Sequence, residues 1–229
     1  RSGTVKKTPL QNFARPRSSG LIALGLEEGD MLIGAAITDG SRDVMLFSDS
    51  GKAIRFNEAD VRPMGRTARG VRGIRLGKDH HAVSLILPEK DSFILTASEK
   101  GYGKRTEISE FPVYGRGGQG VIAMQCSERN GKMIGAIQVE TSDELMLISN
   151  QGTMVRTRTA EISIVGRNTQ GVRLIRVAEE EKLVGIERIA ETEVDELDVD
   201  ASTSANKPNE DSGPIENTGL GNDGESDEI

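Results

Sequence analysis

"VYGRGGQGV", residues 113–121, places Gly115, Gly117 and Gly120 on the G-x-G-x-x-G spacing of a dinucleotide-binding turn, with Arg116 adding a positive charge. That spacing marks a nucleotide site only when a strand precedes it, a helix follows, and an acidic residue lies about 20 positions further on. Two other stretches decide the reading. "MGRTARGV" (64–71) and "VGRNTQGV" (165–172) share its first glycine (Gly65, Gly115, Gly166), the arginine behind it (Arg66, Arg116, Arg167) and the closing Gly-Val. Gly117 and Gly118 have no glycine counterpart, because Thr67-Ala68 and Asn168-Thr169 stand there. The run from Val121 onward, "VIAMQCSE", reads as a strand rather than a helix. The extra glycines are one copy's variation on a G-R-x-x-[QR]-G-V loop, and no nucleotide site is expected.

Working outward from that loop, two sets of glycines recur with one period. In "SGTVKKT", "SGKAIRF", "KGYGKRT" and "QGTMVRT" the turn glycines are Gly3, Gly51, Gly101 and Gly152, spaced by 48, 50 and 51 residues. The glycines that close the loop, Gly20, Gly70, Gly120 and Gly171, are spaced by 50, 50 and 51. The chain is therefore four copies of one unit, approximately 1–50, 51–100, 101–151 and 152–190. Each unit carries short β-branched or Leu-rich runs bounded by Gly, Asp, Asn and Ser turns: a basic strand after the first glycine, a "GVRGIRL" type of strand after the second, then "MLIGAAI", "HAVSLIL", "MIGAIQV" or "LVGIERI", then "VMLFS", "FILTA" or "LMLIS". No stretch holds a capped 3.6-residue period, so helices should be nearly absent. The fold class is all-β: four-stranded blades in a radial, propeller-like array. The fourth unit stops before its last strand and the first begins just after one, so further blades are expected upstream.

Charge divides the chain. Residues 191–229 hold 13 Asp+Glu and one Lys, a net of −12, whereas residues 1–190 hold 28 Lys+Arg against 23 Asp+Glu, a net of +5. The tail has few large apolar residues and cannot bury enough surface to offset its chain entropy, so disorder is expected there. One cysteine, Cys126, excludes an intrachain disulfide framework and points to a reducing, cytoplasmic compartment. No long apolar run or signal peptide is present.

Two columns of the repeat are basic. Lys7, Arg55, Arg105 and Arg156 each stand four residues after the first glycine. Arg66, Arg116 and Arg167 form the second column, with Arg15 and Arg17 nearby in the first unit and Arg69, Arg72, Arg75, Arg158, Arg173 and Arg176 flanking. Repeated once per blade, such charge becomes a stripe, the electrostatic footprint of a polyanion ligand. Seven aromatics are too few for a single-strand stacking platform, and Phe13 and Phe111 share a core column with Val61 and Ile162. Duplex DNA held by its phosphates fits better. Catalytic candidates are weak. His80 and His81 sit in a turn and lack the further ligands a metal site needs. Cys126 alternates with Ile122 and Met124 and reads as core. Tyr102 aligns with Thr4, Lys52 and Thr153 and reads as a surface strand position. No catalytic residue and no metal site is expected.

"DVMLFSDSGKAIRF", "GVRGIRLG", "GYGKRT" and above all "EISIVGRNTQGVRLIR" resemble the C-terminal domain of the A subunit of bacterial DNA gyrase over residues 1–190. The resemblance implies a β-pinwheel whose blades exchange strands and whose basic rim wraps duplex DNA without sequence preference, in an enzyme of two A and two B subunits. It implies that ATP and Mg2+ act at sites outside these residues, and that the fragment carries no cofactor. The family's Q-[RK]-R-G-G-[RK]-G box is absent, and "YGRGGQG" is a degenerate echo of it. The related domain of topoisomerase IV and a propeller-like platform for protein partners are the alternatives.

Thirteen carboxylates on a 39-residue tether reach roughly millimolar effective concentration at the basic body. Deleting residues 191–229, or converting their Asp and Glu to Asn and Gln, is expected to tighten duplex binding, most at low salt. Equal low-salt affinities for the three proteins would leave the tail as a solubility device.

Overall fold

A computed structural model describes residues 1–189; the acidic tail lies outside the described residues. The strands in chain order are β1 (Thr4–Val5), β2 (Asp43–Ser48), β3 (Lys52–Asn57), β4 (Val71–Arg72), β5 (Ala82–Ile86), β6 (Phe93–Ser98) and β7 (Tyr102–Glu107). They continue with β8 (Val121–Ile122), β9 (Met133–Val139), β10 (Glu144–Ser149), β11 (Met154–Arg158), β12 (Val172–Arg173) and β13 (Leu183–Ile189). One-turn 3-10 helices at Leu10–Phe13, Glu58–Asp60, Ile108–Glu110 and Thr159–Glu161 recur once per unit; their three or four residues leave no helical period to read in the sequence.

The blades are antiparallel sheets ordered β5-β2-β3-β8, β9-β6-β7-β12 and β13-β10-β11, with β1 paired to β4. A hairpin forms the middle of each blade, turning at Gly51, Gly101 or Gly152, where the N–H of each glycine donates to Ser48, Ser98 or Ser149. One flank comes from the strand that follows the hairpin's own loop. The other is two residues long and comes from the unit after it: Val121 and Ile122 pair with β3, and Val172 and Arg173 pair with β7. Strands are therefore exchanged between units, and a blade does not coincide with a sequence repeat. The fold is a β-pinwheel.

The landmark glycines bound each exchange, one near either end of the short ladder. Gly101 accepts two backbone N–H groups on its carbonyl, from Leu174 at 2.8 Å and Ile175 at 3.2 Å. Gly3 and Gly51 do the same for Gly73 and Ile74, and for Ala123 and Met124. Gly171, opening the exchanged strand, has φ +80°, and a Cβ there would lie 2.6 Å from the Gly103 carbonyl oxygen. Both the backbone conformation and the space require glycine.

Apolar residues fill the spaces between sheets. Phe47 meets Phe111 edge-on at 6.2 Å amid Met45, Ile94, Met124 and Met133. Leu95, Leu145, Leu147 and Ile162 form a second cluster, and Leu46, Ile54, Phe56, Val61 and Ile74 a third. Of the expected core column, Val61, Phe111 and Ile162 are buried and Phe13 is half-buried.

One expected strand does not form. "MLIGAAI", residues 31–37, has no regular structure, and Met31, Leu32 and Ile37 are exposed. Its equivalents β5, β9 and β13 pair with β2, β6 and β10, which start 39 or 40 residues earlier. For residues 31–37 that offset gives no strand among the described residues. An open cavity of about 640 Å3, lined by Leu24, Leu32, Ile33, Leu46, Phe56 and Leu85 among others, lies beside this segment.

Gly171→Val is expected to destabilise the fold by about 3 kcal/mol or more, from left-handed strain plus the clash. Denaturant unfolding measures it; a midpoint unchanged from wild type would contradict the close approach.

Candidate nucleic-acid interface

The two basic columns occupy different environments. In the first, three of the four side chains reach the next unit. Lys7 Nζ donates to the Glu58 carbonyl at 2.9 Å. Arg55 donates to the carbonyls of Phe111 at 3.2 Å and Ile108 at 3.4 Å. Arg105, only 4% exposed, donates to Ile162 at 2.8 Å and Ala160 at 3.3 Å, and to the Thr141 hydroxyl at 3.2 Å. The carbonyl acceptors belong to, or directly follow, the one-turn 3-10 helix of the next unit, and those of Glu58 and Ile108 also accept the N–H that closes their own turn.

The start of the neighbouring strand supplies a second partner. Asp43 pairs with Arg55 at 2.8 Å, and Glu144 pairs with Arg156. At the equivalent position of the middle blade stands Phe93, and Arg105 lies 5.1 Å from its ring centroid. Burial depresses the Arg105 pKa, but the carbonyls and the ring hold the charge. Lys7, Arg55 and Arg105 are therefore ties between blades, and Arg105 is buried in that role. Arg156 has no such carbonyl contact among the described residues and is 61% exposed.

The second column faces outward along a continuous band. Arg116 donates to the Arg72 carbonyl at 3.0 Å and the Asp60 carbonyl at 2.8 Å. Arg167 donates to the Ile122 carbonyl, the equivalent of Arg72, at 3.2 Å. Each loop thus grips the exchanged strand of the unit before it, and guanidinium N–H groups remain toward solvent. Successive loops also touch through backbone bonds, from Arg75 to Gly118 at 2.7 Å and from Gln125 to Thr169 at 2.9 Å. Arg66, Arg116 and Arg167 are half-exposed, and Arg15, Arg17, Arg69, Arg72, Arg75, Arg173 and Arg176 are exposed. Residues 61–77 contain five arginines and no acid. Arg69 pairs with Glu27 at 3.0 Å, with both side chains mostly exposed, a pairing worth little.

Lysines missed in the sequence hold the loops from behind. Lys104 is 0% exposed and donates to the carbonyls of Gly166 at 2.7 Å and Arg167 at 2.5 Å, and to the Thr169 hydroxyl at 3.1 Å. Lys6 makes the corresponding contact with the Arg66 carbonyl and with Ala23 at 2.7 Å. Ile54 and Val155 stand at this place in the other two units. The alternation of Lys with Ile and Val conceals the column from charge counting.

His80 Nδ1 lies 2.8 Å from Asp49, whose carboxylate also accepts the His81 N–H at 3.1 Å; the pair closes a turn. Cys126 is half-buried rather than core, its thiol pushed up by burial. Among the described residues no group of three or more His, Cys, Asp and Glu could hold a metal ion, and no helix is long and apolar enough to cross a membrane. Tyr102 is the clearest departure: expected on the surface, it is 6% exposed, covered by two arginines.

A strand-exchanging pinwheel with an outward arginine band defines a class of β-propeller relatives. The family model described as "DNA gyrase C-terminal domain, beta-propeller" matches residues 1–39, 42–89, 92–140 and 143–190, and the chain belongs to that family. The A subunit of DNA gyrase from Pseudomonas aeruginosa is 66% identical over 189 residues, covering 82% of this chain and 20% of that protein. Its counterpart from Escherichia coli (strain K12) is 55% identical over 199 residues, covering 87% and 23%. The chain thus spans about a fifth to a quarter of these relatives. A solved DNA gyrase A C-terminal domain superposes with TM-score 0.74 at 27% identity, over 82% of this chain and 63% of that one. A topoisomerase IV C-terminal domain gives 0.77 at 26%, over 82% and 59%.

Burial lowers the Lys104 pKa from 10.5 to about 8, aided by Arg167 and opposed by Glu110. Between those values the unfolded chain binds a proton that the native state does not, so Lys104 makes stability rise with pH across that window. Relative to Lys104→Met, wild type is expected to gain stability from about pH 7 to about pH 9.5 in denaturant unfolding. A pH-independent difference would contradict the burial cost.

Proposed function

We propose that the band of loops binds the sugar-phosphate backbone of duplex DNA, and that curvature of the blade array makes the duplex wrap. The chain would do so as the wrapping domain of a cytoplasmic DNA gyrase of two A and two B subunits, whose ATP- and Mg2+-dependent chemistry lies elsewhere. The observation that carries this reading is the outward loop arginines, of which Arg116 and Arg167 are held at equivalent places by backbone carbonyls, beside residues 61–77 with five arginines and no acid.

Two physical features support it. Guanidinium groups held by carbonyls lose little side-chain entropy when they meet a phosphate, and their remaining N–H groups suit its oxygens. The spacing is set by the blade repeat, not by base edges, so the contacts read position along a backbone rather than sequence. Wrapping constrains DNA writhe, which a strand-passing partner can convert into negative supercoils.

If the band neutralises roughly six phosphates, affinity should fall about a thousandfold between about 50 and 200 mM salt and barely depend on sequence. Replacing Arg66, Arg116 and Arg167 by Ala should lower the salt slope and weaken all duplexes alike. An unchanged slope, measured by titration across a salt series, would remove those arginines from the interface.

A further inference from the structure

Tyr102 opens β7 where the other units have Thr4, Lys52 and Thr153. In the blade before it, Lys52 donates to the loop glutamine Gln119 at 3.1 Å. The equivalent glutamine, Gln170, is held by Arg129 at 3.4 Å. The Arg129 guanidinium carbon lies 4.9 Å from the Tyr102 ring centroid and that of Arg173 lies 5.3 Å from it. Arg173 Nη2 donates to the Tyr102 hydroxyl at 2.8 Å. The ring is buried, while both arginines are exposed. Among the described residues neither guanidinium has a carboxylate within 4.0 Å.

Two like charges gathered on one phenol repel each other. The ring quadrupole attracts each of them, and the hydroxyl oxygen accepts from Arg173. Its pKa is drawn below 10.0, first by Arg173 and then by Arg129, which shows a local field that favours negative charge. An anion beside the hydroxyl would relieve the repulsion and accept the N–H groups that face solvent. A tetrahedral oxyanion can accept from more than one guanidinium, and the bond from Arg129 to Gln170 brings Arg129 to loop 166–171, while Arg173 lies on the strand leaving it.

We propose that Arg129 and Arg173, positioned by Tyr102, form a preorganised seat for one backbone phosphate of duplex DNA. This inference rests on the DNA-binding reading of the band. It adds a contact point off the repeated arginine column, present in one blade only, that would fix where along the band the duplex is most tightly held.

Arg129→Gln with Arg173→Gln should lower the salt slope by about 1 and weaken duplex binding about threefold to tenfold at low salt. Tyr102→Phe, which keeps the ring but removes the acceptor, should weaken it less. The chain has two tyrosines, so 3-fluorotyrosine in a Tyr114→Phe background gives one fluorine resonance, at position 102. That line is expected to shift when mixed-sequence duplex saturates the protein, and it reports even if the arginine variants fold poorly. An unmoved line would overturn the seat. So would an unchanged slope in the double variant beside a lowered slope in the Arg66, Arg116 and Arg167 triple variant, a pair of results that leaves the band intact. Absence of duplex binding by the unaltered chain would overturn both.

Discussion

The contact between one unit's basic side chain and the next unit's 3-10 turn organises the rest of the molecule. Each turn presents backbone carbonyls at the blade boundary, and Lys7, Arg55 or Arg105 reaches across that boundary to donate to them. The same residue's own carbonyl accepts an N–H from the neighbouring unit: Met64 to Lys7 at 2.8 Å, Tyr114 to Arg55 at 2.8 Å and Val165 to Arg105 at 3.0 Å. Side chain and main chain thus fix two units in one register. With that register set, the exchanged strand falls against the hairpin edge, and glycine stands at either end of the exchange because a Cβ there would meet the neighbouring backbone.

The outward band follows from this inner tie. Loops 65–70, 115–120 and 166–171 are anchored at their rear by Lys6 and Lys104 where those occur, and at their front by Arg116 and Arg167 gripping the preceding unit. The arginines therefore project at intervals that the blade geometry dictates. Electrostatic attraction to a polyanion is long-ranged and tolerant, whereas wrapping needs contacts spaced along a curve, and the ties supply that spacing. In the middle blade the scheme is modified: Phe93 replaces a carboxylate under Arg105, and Tyr102 gathers Arg129 and Arg173.

Period and glycine placement were legible in the residues because each landmark glycine answers a backbone constraint that no other residue meets. Hairpin strands were legible from their apolar runs. The 3-10 turns were not, being too short to show a period, and neither was the strand exchange, since a two-residue strand carries no pattern of its own. The site was half legible. Counting charge per repeat found both basic columns but could not separate them, because a buried arginine and an exposed one are the same letter. The separating information lay in what stands nearby: the carbonyls that Arg105 satisfies, Asp43 and Glu144 beside Arg55 and Arg156, and no acid within residues 61–77. Tyr102 was misread because its aligned neighbours are polar, while its burial comes from Arg129 and Arg173, 27 and 71 residues away in sequence.

The central claim is that one basic column binds the protein to itself and the other faces a ligand. Its most direct test compares Arg105→Ala with Arg116→Ala, measuring unfolding free energy and duplex affinity for each. Arg105→Ala should cost about 2–4 kcal/mol of stability, since it orphans buried carbonyls, and should leave the salt slope of the folded protein unchanged. Arg116→Ala should cost about 1 kcal/mol or less, and should weaken binding with a salt slope lower by about 1. The reverse pattern, a stable Arg105→Ala with a reduced slope and an unstable Arg116→Ala with an unaltered one, would contradict the account.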